Sequence, residues 1–268
     1  GCRIIDSPRE RLIAVLTNSF VPCNGRFPAM ISLICIFFVG ISGGVGTSLV
    51  SALLLTVVIL LGVGMTLLFS RLLSRTLLRG IPSSFALELP PYRRPQIGKV
   101  IIRSVFDRTL FVLGRAIAVA APAGALLWLL ANVQVGDASL LAHCAAFLDP
   151  LGRLLGMDGV ILTAFILGFP ANEIVIPIAV MAYTMGGTLT DVGDLAAMRD
   201  VLSANGWTPV TAVCTILFSL MHWPCSTTVM TIRGETGSLR HTLAAVLLPT
   251  LAGVAVCFLV AAAARLVG

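Results

Sequence analysis

Charge is what this chain has least of. Asp, Glu, Lys and Arg make up 11% of its 268 residues, where soluble globular domains carry about 25%. So few charges cannot coat a water-facing surface around a chain that is 57% hydrophobic, which excludes a soluble globule. There is no C-x-x-C among the seven cysteines, and their odd number is scattered. Neither a zinc ribbon nor a disulfide framework is therefore indicated. No G-x-x-x-x-G-K-[ST] occurs, so this chain has no phosphate-cradling loop of that kind. No apolar run precedes Arg3, Asp6, Arg9, Glu10 and Arg11, so a cleavable signal is not expected. The chain opens without an initiator Met, and a fragment of a longer protein is expected.

What remains is a mean hydropathy of +1.01 in a chain long enough for several spans of roughly 20 apolar residues each. The fold class expected is all-α: a polytopic transmembrane helical bundle with broken or re-entrant helices. The segment 9–20, behind Ser7 and Pro8, is amphipathic and predicts a short helix lying near the membrane surface. No charge occurs between Arg26 and Arg71, which fits two spans joined by a turn at 40–44, the second over 48–69. Arg71, Arg75, Arg79, Arg93, Arg94, Lys99, Arg103 and Arg108 then cluster in one connection. That makes it the cytoplasmic one. Pro82, Pro90, Pro91 and Pro95 interrupt any helix there, and 96–107 reads as an interfacial helix.

A third span is expected over 110–131. Asp137, Asp149 and Asp158 mark the next loop as external. The apolar stretch 159–187 is broken by Gly168-Phe169-Pro170-Ala171-Asn172-Glu173 and again by Pro177. A single crossing would put Asp191, Asp194 and Asp200 on the cytoplasmic side, and a re-entrant hairpin keeps them outside. The second arrangement leaves Arg233 and Arg240 on the basic side, so the charge asymmetry favours it. The last spans are expected at 209–232 and 242–264. The +6 net charge sits in short loops beside these spans and is not a nucleic-acid signal.

Two runs carry chemistry. Pro22-Cys23-Asn24-Gly25-Arg26 and His222-Trp223-Pro224-Cys225-Ser226-Thr227-Thr228 each put a thiol after a proline. Proline removes a backbone donor and breaks a helix, and broken backbone at membrane depth must face protein or a cavity. Cys23 and Cys225 are thus expected to face one common cavity from separate broken helices. Glu173, an ionisable group in an apolar stretch, costs on the order of 3 kcal/mol to insert unless it faces a cavity or partner. Asn24, Asn172, Thr227 and Thr228 supply neutral oxygens or cap broken helices. His222 either ligates through a ring nitrogen or hydrogen-bonds at a helix end. Thiolate, imidazole and carboxylate together suit a borderline-soft divalent cation. Cys35, Cys144, Cys214 and Cys257 lie in apolar stretches and read as small buried hydrophobes. Glu10, Glu88 and Glu235 read as surface or capping groups, and no catalytic constellation emerges.

Four strings resemble the C-terminal membrane half of the ferrous iron transport protein B (FeoB) family. They are 6–12 (Asp6-Ser7-Pro8-Arg9-Glu10-Arg11-Leu12), 22–28, 77–92 and Pro224-Cys225 followed by 232–238, and they occur in family order. The resemblance implies the end of a first gate region over 1–28, a family-type membrane domain with its basic loop over 29–108, a second, nucleoside-recognition-like gate over 109–232, and a C-terminal transmembrane helix over 233–268. It implies Fe²⁺ as the transported ion and GTP acting only through an N-terminal domain that this chain does not contain. It also implies the bacterial cytoplasmic (inner) membrane. The expected partners are lipid, the GTPase portion or subunit, small cytosolic accessory iron-transport proteins and a second copy of the chain, with no nucleic acid. Many family members read Ala-Lys-Glu where this chain has Ala171-Asn172-Glu173, so a cation beside the carboxylate is absent. A gate-type transporter of another divalent metal or of a nucleoside-like solute is the alternative. A membrane thiol oxidoreductase would need paired cysteines.

Overall fold

The computed structural model describes residues 2–5, 7–40, 44–76, 96–136, 138–184 and 194–267. Helix α1 (Pro8–Thr17) begins where the Ser7 hydroxyl accepts the Glu10 amide hydrogen and Pro8 takes the first helical position. A 3-10 turn carries it to Phe20, and the chain is extended at Val21 and Cys23. Helix α2 (Phe27–Ile34) runs on through a π-helical turn, Cys35–Val39, and α3 (Val45–Arg75) follows. After α4 (Ile97–Arg103) and a π-helical stretch, Ser104–Leu110, comes α5 (Phe111–Asn132). Among the described residues the only strands are β1 (Gln134–Val135) and β2 (Ala138–Ser139), a short antiparallel pair.

Helices α6 (Leu140–Leu154) and α7 (Gly159–Leu167) meet at 110°. A 3-10 turn, Asn172–Ile174, leads into α8 (Val175–Tyr183). The chain closes with α9 (Leu195–Ala204), α10 (Pro209–Met221), α11 (Ser226–Thr236) and α12 (Leu239–Val267). Among the described residues, five helical segments are long and apolar enough to cross a membrane. Two of them, Pro8–Val39 and Pro209–Thr236, contain the proline-cysteine breaks. The all-α, membrane-spanning architecture expected from composition is the one observed.

Helices α7 and α8 fold back on each other. Asp158 caps the start of α7 by accepting the Ile161 amide at 2.7 Å, and its other carboxylate oxygen accepts the hydroxyl of Tyr183 from the far end of α8. Trp207 Nε1 donates to the same hydroxyl at 2.9 Å. The two outer ends are therefore tied together, and the turn at 168–174 is the tip of a hairpin. Each arm has nine residues, about 13 Å of helix, so neither arm alone is long enough to cross a layer of about 30 Å of hydrocarbon. This is the shape that the re-entrant arrangement requires.

One expectation for the first helix is corrected. α1 is not a free amphipathic helix on a surface: Ile13, Val15, Leu16 and Thr17 are buried, and the helix packs on α3 and α12. Leu73 of α3 and Ile232 and Ala245 of the last two helices complete that small core. The reason is that three of its apolar positions fall where neighbouring helices can cover them, so protein replaces the membrane surface.

The charges separate by end. Arg9 Nη2 donates to the Ser74 carbonyl at 3.2 Å, which puts the start of α1 beside Arg71 and Arg75 at the end of α3. Thr236 and His241, on either side of the α11–α12 turn, share a cavity wall with Arg9 and Arg11. Asp149, Asp158, Tyr183 and Trp207 lie at the opposite end, where Arg265 donates to the Arg153 carbonyl. Asp6, Arg79, Arg93, Arg94, Asp137, Asp191, the four loop prolines, Glu88 and the 77–92 string lie outside the described residues.

Candidate functional site

Three interruptions in helical backbone carry the candidate residues. Cys23 is extended (φ −82°, ψ 166°) ahead of the 3-10 turn Asn24–Arg26. His222 is extended (φ −80°, ψ 179°) at the end of α10, and Cys225 (φ −62°, ψ 160°) caps the start of α11. The third is the hairpin tip between α7 and α8. In each, peptide groups leave the helical ladder, and in hydrocarbon they must find partners inside the protein.

The three meet, and Arg26 joins two of them. Its guanidinium donates to the carbonyls of Ser19 (3.1 Å), Leu220 (2.9 Å) and Trp223 (3.2 Å), with His222 at 3.5 Å. One cation thus satisfies the carbonyls that both broken helices release. The Arg26 side chain is buried, 3% exposed. The α11 start is fixed to the hairpin tip: the Ser226 amide donates to Phe169 O at 2.9 Å and its hydroxyl to Pro170 O at 3.2 Å. Gly25 packs on the same tip, where a Cβ in its place would stand 3.6 Å from Glu173 Oε2. Both Cys23 and Cys225 are close enough to interact electrostatically with the Arg26 guanidinium.

Residues 55–107 match the family model described as Ferrous iron transport protein B C terminus, and 113–239 match the Gate model, described as Nucleoside recognition. A curated protein named Fe(2+) transporter FeoB from Staphylococcus aureus (strain MSSA476) is 28% identical over 97% of this chain. Proteins of that name from Leptospira interrogans (26%, 89% of this chain) and Methanocaldococcus jannaschii (26%, 88%) also match. The chain is similar to FeoB proteins over nearly its whole length. It spans 37% of the length of the Staphylococcus relative and 34% of the Methanocaldococcus one, and corresponds to the C-terminal membrane portion of FeoB. No solved structure matches.

Within this FeoB portion the sequence candidates divide by depth. Cys23, Asn24 and Glu173 are exposed side chains around the junction. Cys225 is half-buried, its sulfur 3.2 Å from Thr227 Oγ1 and 3.3 Å from Thr228 Oγ1. His222 and Asn172 lie beneath, 1% and 8% exposed. His222 Nδ1 donates to Ser219 O at 2.9 Å and Phe218 O at 3.1 Å, and Nε2 lies 3.4 Å from Asn172 Oδ1. Rings of Phe165, Phe218 and Trp223 surround the imidazole. The His222 and Asn172 side chains lie side by side beneath the exposed set. Among the described residues, no three His, Cys, Asp or Glu side chains group closely enough to enclose a metal ion.

Sequence reasoning placed Arg26 beside a thiol but missed its carbonyl contacts. A signal was available: Arg26 heads a 44-residue stretch without charge, and a lone arginine in such a place needs internal acceptors. Among the described residues, the buried side-chain atoms without a hydrogen-bond partner are Ser19 Oγ, Arg26 Nε and Trp223 Nε1. All three belong to this junction. Buried donors cluster without partners where water or a ligand group completes them.

Proposed function

We propose that this chain is the permease portion of a ferrous iron importer and that Cys23 and Cys225, with Glu173, Asn24, Asn172 and His222 around them, hold Fe²⁺ in passage. The observation that carries this reading is the meeting of three helix breaks around one buried arginine, with a thiol in each of two breaks. A borderline-soft cation gains from sulfur, and hard ions such as Mg²⁺ and Ca²⁺ gain far less. A site with two thiols and scattered oxygens, without an enclosing cage, suits an ion that must also leave. Glu173 at the exposed hairpin tip attracts the cation towards the sulfurs. Arg26 holds the two broken helices in register and raises the requirement for anionic ligands in any ion that stops here.

In this reading the basic end faces the cytoplasm of a cell whose inner membrane holds the protein. A GTPase portion, encoded ahead of this region or as a separate subunit, supplies nucleotide-dependent gating, and small cytosolic accessory proteins and a second copy of the chain are its further partners. On this reading 1–28 closes a first gate region and 109–232 forms the second.

The test uses the full-length protein. Cys23→Ser or Cys225→Ser replaces a soft ligand by a hard one at nearly constant volume. Fe²⁺ uptake into cells or proteoliposomes should fall at least about fivefold, with expression and nucleotide hydrolysis near wild type. Cys257→Ser is the control, because its buried thiol donates to the Cys214 carbonyl at 3.3 Å and a hydroxyl can do the same. Wild-type uptake in both proline-linked variants would remove these residues from the ion's path.

A further inference from the structure

A cavity of about 780 Å³ lies between α1 and α11, and its wall includes Arg9, Arg11 and Asn18 on one side and Thr228, Thr231 and Glu235 on the other. Thr228, Thr231 and Glu235 are spaced i, i+3, i+7, so they form one face of α11. That face starts at the candidate site: Thr228 Oγ1 is 3.3 Å from the Cys225 sulfur. It ends at Glu235, and His241 of α12 lines the cavity at the basic end of the molecule. We infer that this cavity is the inner leg of the ion's route, along which Fe²⁺ leaves Cys225 as a hydrated ion past Thr228, Thr231 and Glu235.

Three observations support it. A helix face carrying two threonines within a segment apolar and long enough to cross a membrane is not matched by lipid, and an aqueous passage satisfies it. The Thr231 hydroxyl donates its hydrogen to the Thr227 carbonyl at 2.8 Å. Its oxygen lone pairs are thereby left for the cavity, where the water shell of a cation has hydrogens to offer. Glu235 is the one carboxylate among the lining residues, with Arg9 and Arg11 opposite. An ion passing here is steered by the carboxylate and not trapped, because the arginines offset most of its attraction. The inference rests on the permease reading and adds to it a direction and the residues Thr228, Thr231 and Glu235, in a cavity whose wall also includes Cys2.

Two measurements on the full-length protein test it. In the first, Thr231→Cys is treated with a membrane-impermeant maleimide on membranes whose basic face is accessible, and the adduct is read by mass spectrometry. Labelling is expected. Absence of labelling in the folded protein would mean that lipid or another protein segment fills the cavity, and would overturn the route. In the second, Thr231→Trp fills the passage, and Fe²⁺ uptake should drop at least about tenfold, while Leu247→Trp on the exposed side of α12 keeps wild-type uptake. A folded Thr231→Trp variant with full uptake would also overturn it. If that variant does not fold, the labelling result decides alone. Failure of the route and failure of the site are distinct: uptake lost in Cys225→Ser but kept in Thr231→Trp removes only the route. Wild-type uptake in Cys225→Ser together with loss in Thr231→Trp removes the thiol and keeps the passage.

Discussion

Helix α3 and the broken segment formed by α10 and α11 are each apolar enough to cross a membrane, yet 6% of the apolar window of α3 is buried against protein and 50% of the other. The difference follows from where each satisfies its backbone. α3 makes its hydrogen bonds internally over 31 residues and can leave Leu49, Leu53, Leu60 and Leu67 facing outward. The other segment gives up its helix between His222 and Cys225, so its carbonyls must be met by Arg26 and its start by the hairpin tip. An unbroken helix needs only lipid, whereas a broken one needs neighbours. The neighbours that gather round the break bring in the groups that chemistry requires.

The largest effect expected from that contrast is at Arg26. Arg26→Met keeps an unbranched apolar stem and removes every donor to the Ser19, Leu220, His222 and Trp223 carbonyls, leaving them buried without partners. Loss of at least about 3 kcal/mol is expected, since each orphaned group costs roughly 1–3 kcal/mol. It would be read as a lower midpoint of thermal unfolding in detergent and a smaller folded yield. Arg240→Met, at an exposed position of α12, should change stability by less than about 0.5 kcal/mol. Equal effects from the two would mean that the break does not depend on its buried cation.

Gly62 sharpens the comparison from the side of the unbroken helix. It is the place where α3 comes closest to the junction, and a Cβ there would stand 2.5 Å from the Phe20 carbonyl oxygen and 3.1 Å from Leu220. Backbone cannot yield as a side-chain tip can, so Gly62→Ala should cost about 1–3 kcal/mol despite the better helix propensity of alanine. A stabilised variant would show that α3 is free to move away from the first break.

The fold was largely legible because it is written in local signals. A 44-residue stretch without charge, prolines beside cysteines and the alternation of basic and acidic loops indicate spans, breaks and ends from composition alone. The hairpin was legible for the same reason, through charge asymmetry across 159–200. The site was legible only in part. Cys23 and Cys225 announce themselves by their prolines, but the acceptors of Arg26 at Leu220, His222 and Trp223 lie 194 to 197 residues away, and no periodicity connects such positions. The Asn172–His222 contact is equally remote in sequence. α1 was misplaced because apolar residues on one face read alike for a membrane surface and for a neighbouring helix.

A smaller effect is expected at the hairpin's outer end. Tyr183→Phe removes the hydroxyl that joins Asp158 to Trp207 and leaves the ring in place. A net loss of about 1 kcal/mol is expected, with the α7–α8 ends opening before the rest. Amide hydrogen exchange should rise in α8 and in the start of α7 and stay unchanged in α3. Uniform exchange across the helices would mean that the hairpin does not open as a unit.

The smallest effect is expected two residues from Gly62. Gly64 lies in the same helix, but nothing stands within 4 Å of the Cβ it lacks, so alanine there meets no protein atom. The substitution also removes the extra conformational freedom that glycine gives the unfolded chain, which in a helix interior is worth about 0.5–1 kcal/mol. Gly64→Ala should therefore leave the unfolding midpoint unchanged or raise it slightly, with Fe²⁺ uptake at the wild-type level. The pair makes the comparison within one helix: one methyl group added where α3 touches the break, and one added where it faces away. If Gly64→Ala destabilised the protein as much as Gly62→Ala, α3 would have a second close neighbour at that face in the membrane, and its role as the unbroken, outward-facing span would have to be given up.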